Sequence, residues 1–227
     1  MKKFFANAVL GLCTLAFLSG SGMAAPVQAG DTVPDSTQAN STAVSDYLQA
    51  GNKVEMSFQV VSVSDVDVQS KINMRLFQRA EAWQNDIKEI LQNGDALSTS
   101  LNSVVTYQDK GIISIKTDEY FYVDHAAHPM SWTYGNVFSL SDGKELSLED
   151  IAALPEYKEH AQRYTWSSVK HALIAKYGDM LFSHTFNLTE VPKDVYIDAD
   201  GHVHVVIQRY ELAPYAAGLL DVDLDAE

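Results

Sequence analysis

One apolar stripe constrains this chain more than any other feature. Ile72, Leu76, Ala80, Trp83, Ile87 and Ile90 recur at spacings of three and four, with polar residues between them. That period matches one face of a single long helix. Ser64-Asp65-Val66-Asp67 supplies an N-cap and first-turn acid ahead of it, and Asn93-Gly94 supplies a left-handed stop behind it. A helix with one apolar face needs a flat apolar partner. The neighbouring residues provide one. Val54–Val63, Leu101–Gln108, Ile112–Val123 and Ser131–Leu140 read as strands, the middle two joined by an Asp109-Lys110-Gly111 turn.

Downstream, Ser141-Asp142-Gly143-Lys144 turns the chain, and Ser147-Leu148-Glu149-Asp150 forms a capping box for a short helix. Pro155 suits the first turn of a second long helix, whose stripe is Trp166, Val169, Leu173 and Tyr177 and whose stop is Gly178. Asp194–Ile197 and His202–Arg209 then read as strands about an Asp198-Ala199-Asp200-Gly201 turn. Strands grouped in hairpins between two isolated helices predict an α+β fold with antiparallel sheet, and Trp83 and Trp166 in its core.

The first 29 residues read as a secretory signal: Lys2 and Lys3, an apolar run from Phe4 to Leu18, then small residues. The run is too short to span a bilayer comfortably, so cleavage with no stable membrane insertion is expected. Residues 30–50, rich in Ser, Thr, Asp, Asn and Gln, read as a disordered spacer, and 51–227 as the folded domain. The only cysteine, Cys13, falls within the leader, so a cleaved chain has no thiolate chemistry and no cysteine–zinc site. These features place the protein outside the cytoplasm, in a periplasmic or extracellular setting.

The formal charge is −14, and loss of Lys2 and Lys3 with the leader takes it to −16. Such a surface repels nucleic acid and attracts cationic partners; it also serves solubility alone. No Gly-x-Ser-x-Gly, His-Glu-x-x-His or phosphate-cradling glycine loop is present, and no cofactor is expected. His125-x-x-His128 and His202-x-His204 have the spacing of metal-ligand doublets, but an exposed strand face explains the second pair without a metal. Asp198-Ala199-Asp200-Gly201 lacks the later ligands of a calcium loop and reads as a turn. Asp221, Asp223 and Asp225 alternate with apolar residues, as on the wet face of a terminal strand.

Two segments carry a family resemblance. The first is Tyr122–Ile151, with Ala127-His128-Pro129 and Asn136-Val137-Phe138-Ser139-Leu140-Ser141-Asp142-Gly143-Lys144-Glu145-Leu146-Ser147-Leu148. The second is Val195-Tyr196-Ile197-Asp198-Ala199-Asp200-Gly201 with Tyr210-Glu211-Leu212-Ala213-Pro214-Tyr215-Ala216-Ala217-Gly218. Together they resemble the extracytoplasmic RsiV-like domain, a pairing of DUF4163 (about 51–125 here) with DUF3298 (about 126–225), also found beside the peptidoglycan deacetylase PdaC. The family usually has Gly-Gly-Ala-His where this chain has His125-Ala126-Ala127-His128, so a different loop path is expected here. The RsiV proteins are anti-sigma factors whose outer domain binds lysozyme. The resemblance therefore implies a non-enzymatic binding module for a basic protein such as lysozyme or for a cell-wall component. The ligand-binding candidates are His125, His128, Tyr210, Glu211 and Tyr215. A wall glycan or peptide hydrolase, with His128 and Glu211 as acid and base, is the alternative. A structural envelope protein without a ligand is the third reading.

Overall fold

The computed structural model describes residues 38–39, 51–183 and 192–226. The expected signal peptide and cleavage sites lie outside these residues, as does the expected spacer except for Gln38–Ala39, which form a two-residue strand, β1.

A 27-residue helix, α1 (Val66–Gln92), carries the apolar stripe. Asp65 caps it, accepting from the backbone N–H groups of Asp67 and Val68, and Gly94 follows its end at φ +84°. The stripe covers one face of a five-stranded sheet ordered β1, β2 (Lys53–Gln59), β3 (Leu97–Asp109), β4 (Ile112–Val123), β5 (Met130–Ser139). Ile72, Leu76, Trp83 and Ile87 bury themselves among Leu101, Ile113, Ile115 and Phe138 in the first core. Trp83 is fully buried, and its indole N–H donates to Thr99 Oγ1 at 3.0 Å. Asn73 faces inward from the same helix and bonds both backbone groups of Val61 at 2.8 Å, which ties the exit of β2 to α1.

The α+β class is as expected, but the sheet is mixed. β2 and β3 run parallel, with Val54 beside Thr99 and Met56 beside Leu101. α1 connects them, and a crossover of this length returns the chain in its starting direction. β3 and β4 form a long antiparallel hairpin closed by Lys110 and Gly111, both at positive φ, the geometry of a two-residue primed turn.

The second core lies between the other face of this sheet and a three-stranded antiparallel sheet, β6 (Asp194–Ile197), β7 (Val203–Ile207) and β8 (Leu220–Asp223). Ile112 and Val137 meet Val195, Ile197, Val205 and Val222 there. Gly135 of β5 permits the contact: a Cβ at this position would stand 2.4 Å from the Val195 carbonyl oxygen. Ser147 and Asp150 form the expected capping box of α2 (Leu148–Ala153).

The second long helix departs from expectation. Pro155 follows the end of α2 instead of opening a helix, and the chain passes through a 3₁₀ stretch, Lys158–Arg163, with His160 outside helical geometry. Tyr157 and Tyr164 flank this stretch and are anchored by hydroxyl bonds to the Gly201 carbonyl and the Asp225 carboxylate. Only at Thr165, whose hydroxyl accepts from Ser168 N–H, does α3 (Trp166–Tyr177) begin. Trp166 is thus a first-turn residue. It is half-buried against the second core, whereas Val169 and Leu173 are its buried residues.

The outer edge of β5 is covered at Thr133, Val137 and Ser139. Ser139 N–H and the Val137 carbonyl bond to Lys144 and Leu146. The Gln208 side chain bonds both backbone groups of Thr133. No helix among the described residues is long and apolar enough to cross a membrane.

Candidate functional site

Two loops meet at one end of the molecule. The β4–β5 connection carries His125 and His128; the β7–β8 connection carries Arg209, Tyr210, Glu211 and Tyr215. The His128 ring stacks on the Tyr215 ring with centroids 3.9 Å apart and planes 24° from parallel. His128 Nδ1 lies 3.2 Å from the Pro129 carbonyl, and Nε2 lies 3.2 Å from the Tyr210 hydroxyl. A carbonyl only accepts, so Nδ1 carries the proton and, in the neutral ring, Nε2 accepts from Tyr210. The Tyr215 hydroxyl donates to the same Pro129 carbonyl at 2.7 Å. These bonds lock the two loops together.

Arg209 completes the stack. Its guanidinium sits 4.6 Å from the Tyr215 ring centroid, with Nε donating to Ser131 Oγ at 3.1 Å and Nη1 to the Tyr215 carbonyl at 3.4 Å. Tyr210 stands at φ +66°, a left-handed conformation that is uncommon for a bulky side chain, and remains 50 % exposed. The turn from Gln208 to Glu211 places it there: Gln208 N–H donates to the Glu211 carboxylate, and Glu211 N–H to the Gln208 carbonyl.

Of the five expected ligand residues, the structure brings His128, Tyr210 and Tyr215 together. His125 stays outside the cluster, its side chain 94 % exposed and 3.4 Å from Asp124. Its own backbone is left-handed, at φ +66°, where the family pattern has glycine. Glu211 closes the turn, and the ring nitrogens of His128 bond Tyr210 and Pro129. Sequence reasoning missed Arg209; its place immediately before Tyr210 was the available signal.

Beside His128 lies an apolar depression of about 240 Å³, lined by Ile90, Phe121, Val123, Met130 and Trp132, with Asp86 also at its wall. Close by, Arg79 makes a two-point ion pair with Glu119, which is 2 % exposed. Burial pushes the Glu119 carboxyl up to about 7 against the opposing pull of Arg79. Arg79 also lies 4.1 Å from the Tyr134 ring centroid.

The remaining histidine doublet is not the open strand face expected. His204 is 15 % exposed and bonds carboxylates on both sides, Asp221 at 2.9 Å from Nδ1 and Asp198 at 3.2 Å from Nε2. The Tyr196 ring stacks on it at 4.6 Å, and the Tyr196 hydroxyl donates to Asp221. His202 Nδ1 pairs with Asp223 at 3.1 Å. Burial opposes protonation of His204, but its two carboxylates outweigh it and hold the ring's pKa above the usual histidine value; Asp223 does the same for His202. The aspartates of β8 are therefore ion-pair partners, not a merely wet face. Asp198 also closes its turn, accepting from Asp200 and His202 N–H groups with Gly201 at φ +88°. Among the described residues no group of three or more His, Cys, Asp or Glu has the geometry to hold a metal ion.

No protein-family model matches the chain, and no curated protein does. Solved structures do. A DUF3298 family member from Bacteroides fragilis matches with 16 % identity and a TM-score of 0.52, over 83 % of this chain and 88 % of that one. A DUF3298 family protein from Pseudomonas aeruginosa matches with 17 % identity and a TM-score of 0.51, over 86 % of this chain and 91 % of that one. The helix-covered mixed sheet and the smaller antiparallel sheet behind it are thus the fold found in DUF3298 family proteins.

Proposed function

We propose that this chain is an exported, non-enzymatic binding domain of the RsiV-like kind, and that its ligand is a component of the cell wall. The observation that carries this reading is the cross-braced cluster of His128, Tyr210, Tyr215 and Arg209. Its members brace one another through stacking and hydrogen bonds, and it presents one exposed aromatic ring. Preorganised aromatic and guanidinium groups suit binding with little ordering cost. The leader at residues 1–29 and the resemblance to DUF4163/DUF3298 pairs support action outside the cytoplasm.

A second reading, a basic protein such as lysozyme, is favoured by the net charge of −14. One experiment separates the two. The mature chain is incubated with purified wall sacculi, with lysozyme and with an unrelated basic protein, at low and physiological salt. Retention on sacculi at both salt levels, weakened by His128→Ala or Tyr215→Ala with folding intact, supports the wall reading. Lysozyme-selective, salt-resistant binding supports the second instead. Association with both basic proteins that vanishes at physiological salt is ion exchange and counts for neither, because exposed charges beyond about 8 Å are screened there. Turnover of wall glycan overturns the non-enzymatic reading. Binding to none of the three leaves the structural envelope role.

A further inference from the structure

The chain has four arginines, Arg75, Arg79, Arg163 and Arg209. The first three pair with Glu145, Glu119 and Asp225. Arg209 bonds only Ser131 Oγ and the Tyr215 carbonyl among the described residues, and has no carboxylate partner there. In a protein with 30 acidic and 16 basic residues, that is an unusual place to leave a guanidinium unpaired. Its Nη2 makes no hydrogen bond among the described residues, and no buried side-chain nitrogen or oxygen among them lacks a partner, so Nη2 is not buried. The fork sits 4.6 Å from the Tyr215 ring centroid and is pinned at Nε and Nη1, which orients the free edge.

The exposed ring beside it is Tyr210. A glycine would adopt φ +66° freely, whereas a tyrosine there carries backbone strain. The hydroxyl is engaged with His128, which fixes the ring and leaves the rest of a half-exposed side chain to solvent. Tyr210 and Arg209 flank the same residue: the Tyr210 and Tyr215 centroids are 5.8 Å apart, and Arg209 stands 4.6 Å from Tyr215. Anion donor and stacking face therefore lie no more than about 10 Å apart, on either side of one shared ring.

From this juxtaposition we propose that the surface binds an acidic glycan, a sugar whose flat C–H face lies on Tyr210 and whose carboxylate bonds the free edge of Arg209. The inference rests on the wall-component reading above and names its ligand class. One guanidinium matches one carboxylate by charge and by its planar, two-point geometry. Arg209 is the cluster's sole fixed positive charge, which disfavours more highly charged anions in so acidic a chain.

The test is titration calorimetry on the mature chain with two tetrasaccharides. One alternates N-acetylglucosamine with N-acetylmuramic acid, which bears a free lactyl carboxylate. The other is tetra-N-acetylchitotetraose, with the same backbone and no carboxylate. The acidic glycan should bind about tenfold to a hundredfold more tightly, the span of a hydrogen bond to a charged group. Arg209→Gln should erase that difference, so that the two glycans bind the variant with equal affinity. Tyr210→Gly should weaken both sugars without lowering the thermal midpoint, since glycine relieves the left-handed strain; this separates loss of the platform from loss of folding. Equal affinity for the two glycans, or a preference that survives Arg209→Gln, overturns the proposal. So does tighter binding of a sugar-free stem peptide bearing a carboxylate. Retention on sacculi without carboxylate preference sinks this inference but leaves the wall reading standing, whereas binding to neither sacculi nor glycans sinks both.

Discussion

Removing the Arg79 side chain tests how the first core tolerates a buried charge. Glu119 is 2 % exposed beneath α1, and Arg79 is its two-point ion-pair partner. Arg79→Met keeps most of the aliphatic length and deletes the guanidinium. Breaking one side of a buried pair costs about 3–5 kcal/mol when the remaining group stays charged. Here the cost depends on pH. The folded carboxyl already sits near 7, above its ordinary 4.5, because burial outweighs Arg79. A raised carboxyl means the folded state holds its proton longer than the unfolded one, so this group's contribution falls as pH rises from 4.5 to 7 and is flat above. Without Arg79 the folded carboxyl rises further, so the decline deepens and continues past pH 7. Urea unfolding of Arg79→Met against wild type should therefore show a small loss at pH 5 and the full ~3–5 kcal/mol at pH 8. Glu119→Gln should flatten the pH slope assigned to this site. An equal Arg79→Met penalty at both pH values, or an unchanged slope in Glu119→Gln, would refute the reasoning.

Three further outcomes are expected. Trp83→Ala should cost about 3–5 kcal/mol in denaturant unfolding, and Trp166→Ala clearly less, because only the first indole is fully buried; equal losses would show that burial does not rank them. His204→Gln should destabilise more at pH 6 than at pH 9. The wild-type pairs with Asp221 and Asp198 contribute fully below the unfolded histidine value of about 6.5 and are lost as pH rises through the higher folded value, so a penalty independent of pH contradicts the charged pairing. Gly135→Ala should cost about 1–3 kcal/mol, since its Cβ meets the Val195 backbone rather than a movable side chain; a thermal midpoint matching wild type would mean that the two sheets can part at no cost.

Local period and turn chemistry were legible in the sequence. The α1 stripe, the Ile112–Val123 and Asp194–Ile197 strands, the Ser147 capping box and the turn at Asp198–Gly201 are all observed, because each is decided by residues close in the chain. Strand direction was not legible: alternation along β2 says which side faces the helix, but not whether the neighbouring strand runs parallel. Pro155 fitted a helix start by propensity, yet anchoring of Tyr157 and Tyr164 to Gly201 and Asp225 favoured a 3₁₀ path. The same long-range blindness applied to the candidate site. His128, Tyr210 and Tyr215 were picked out as separate segments. That a stack forms across 82 or more residues, with Arg209 in it, depends on where two loops end in space. His202 and His204 read as open because the carboxylates that claim them lie on β8 and at the hairpin turn, and only sheet register reveals that.

The covered edge of β5 bears on how this protein behaves at high concentration. A bare edge strand is a template on which another chain can extend the sheet. Here Gln208 bonds both outward backbone groups of Thr133, Leu146 N–H bonds the Val137 carbonyl, and Lys144 and Gly143 bond the backbone of Ser139. The Gln208 cap follows the end of β7, so that part of the shield is assembled only when the second sheet docks. A folding intermediate with the hairpin of β3, β4 and β5 formed, but with β6 and β7 still undocked, would be sticky along this margin. Aggregation should consequently track the docking step rather than global unfolding, and variants that loosen Gly135 against Val195 are the ones in which visible precipitate would come before any loss of helix.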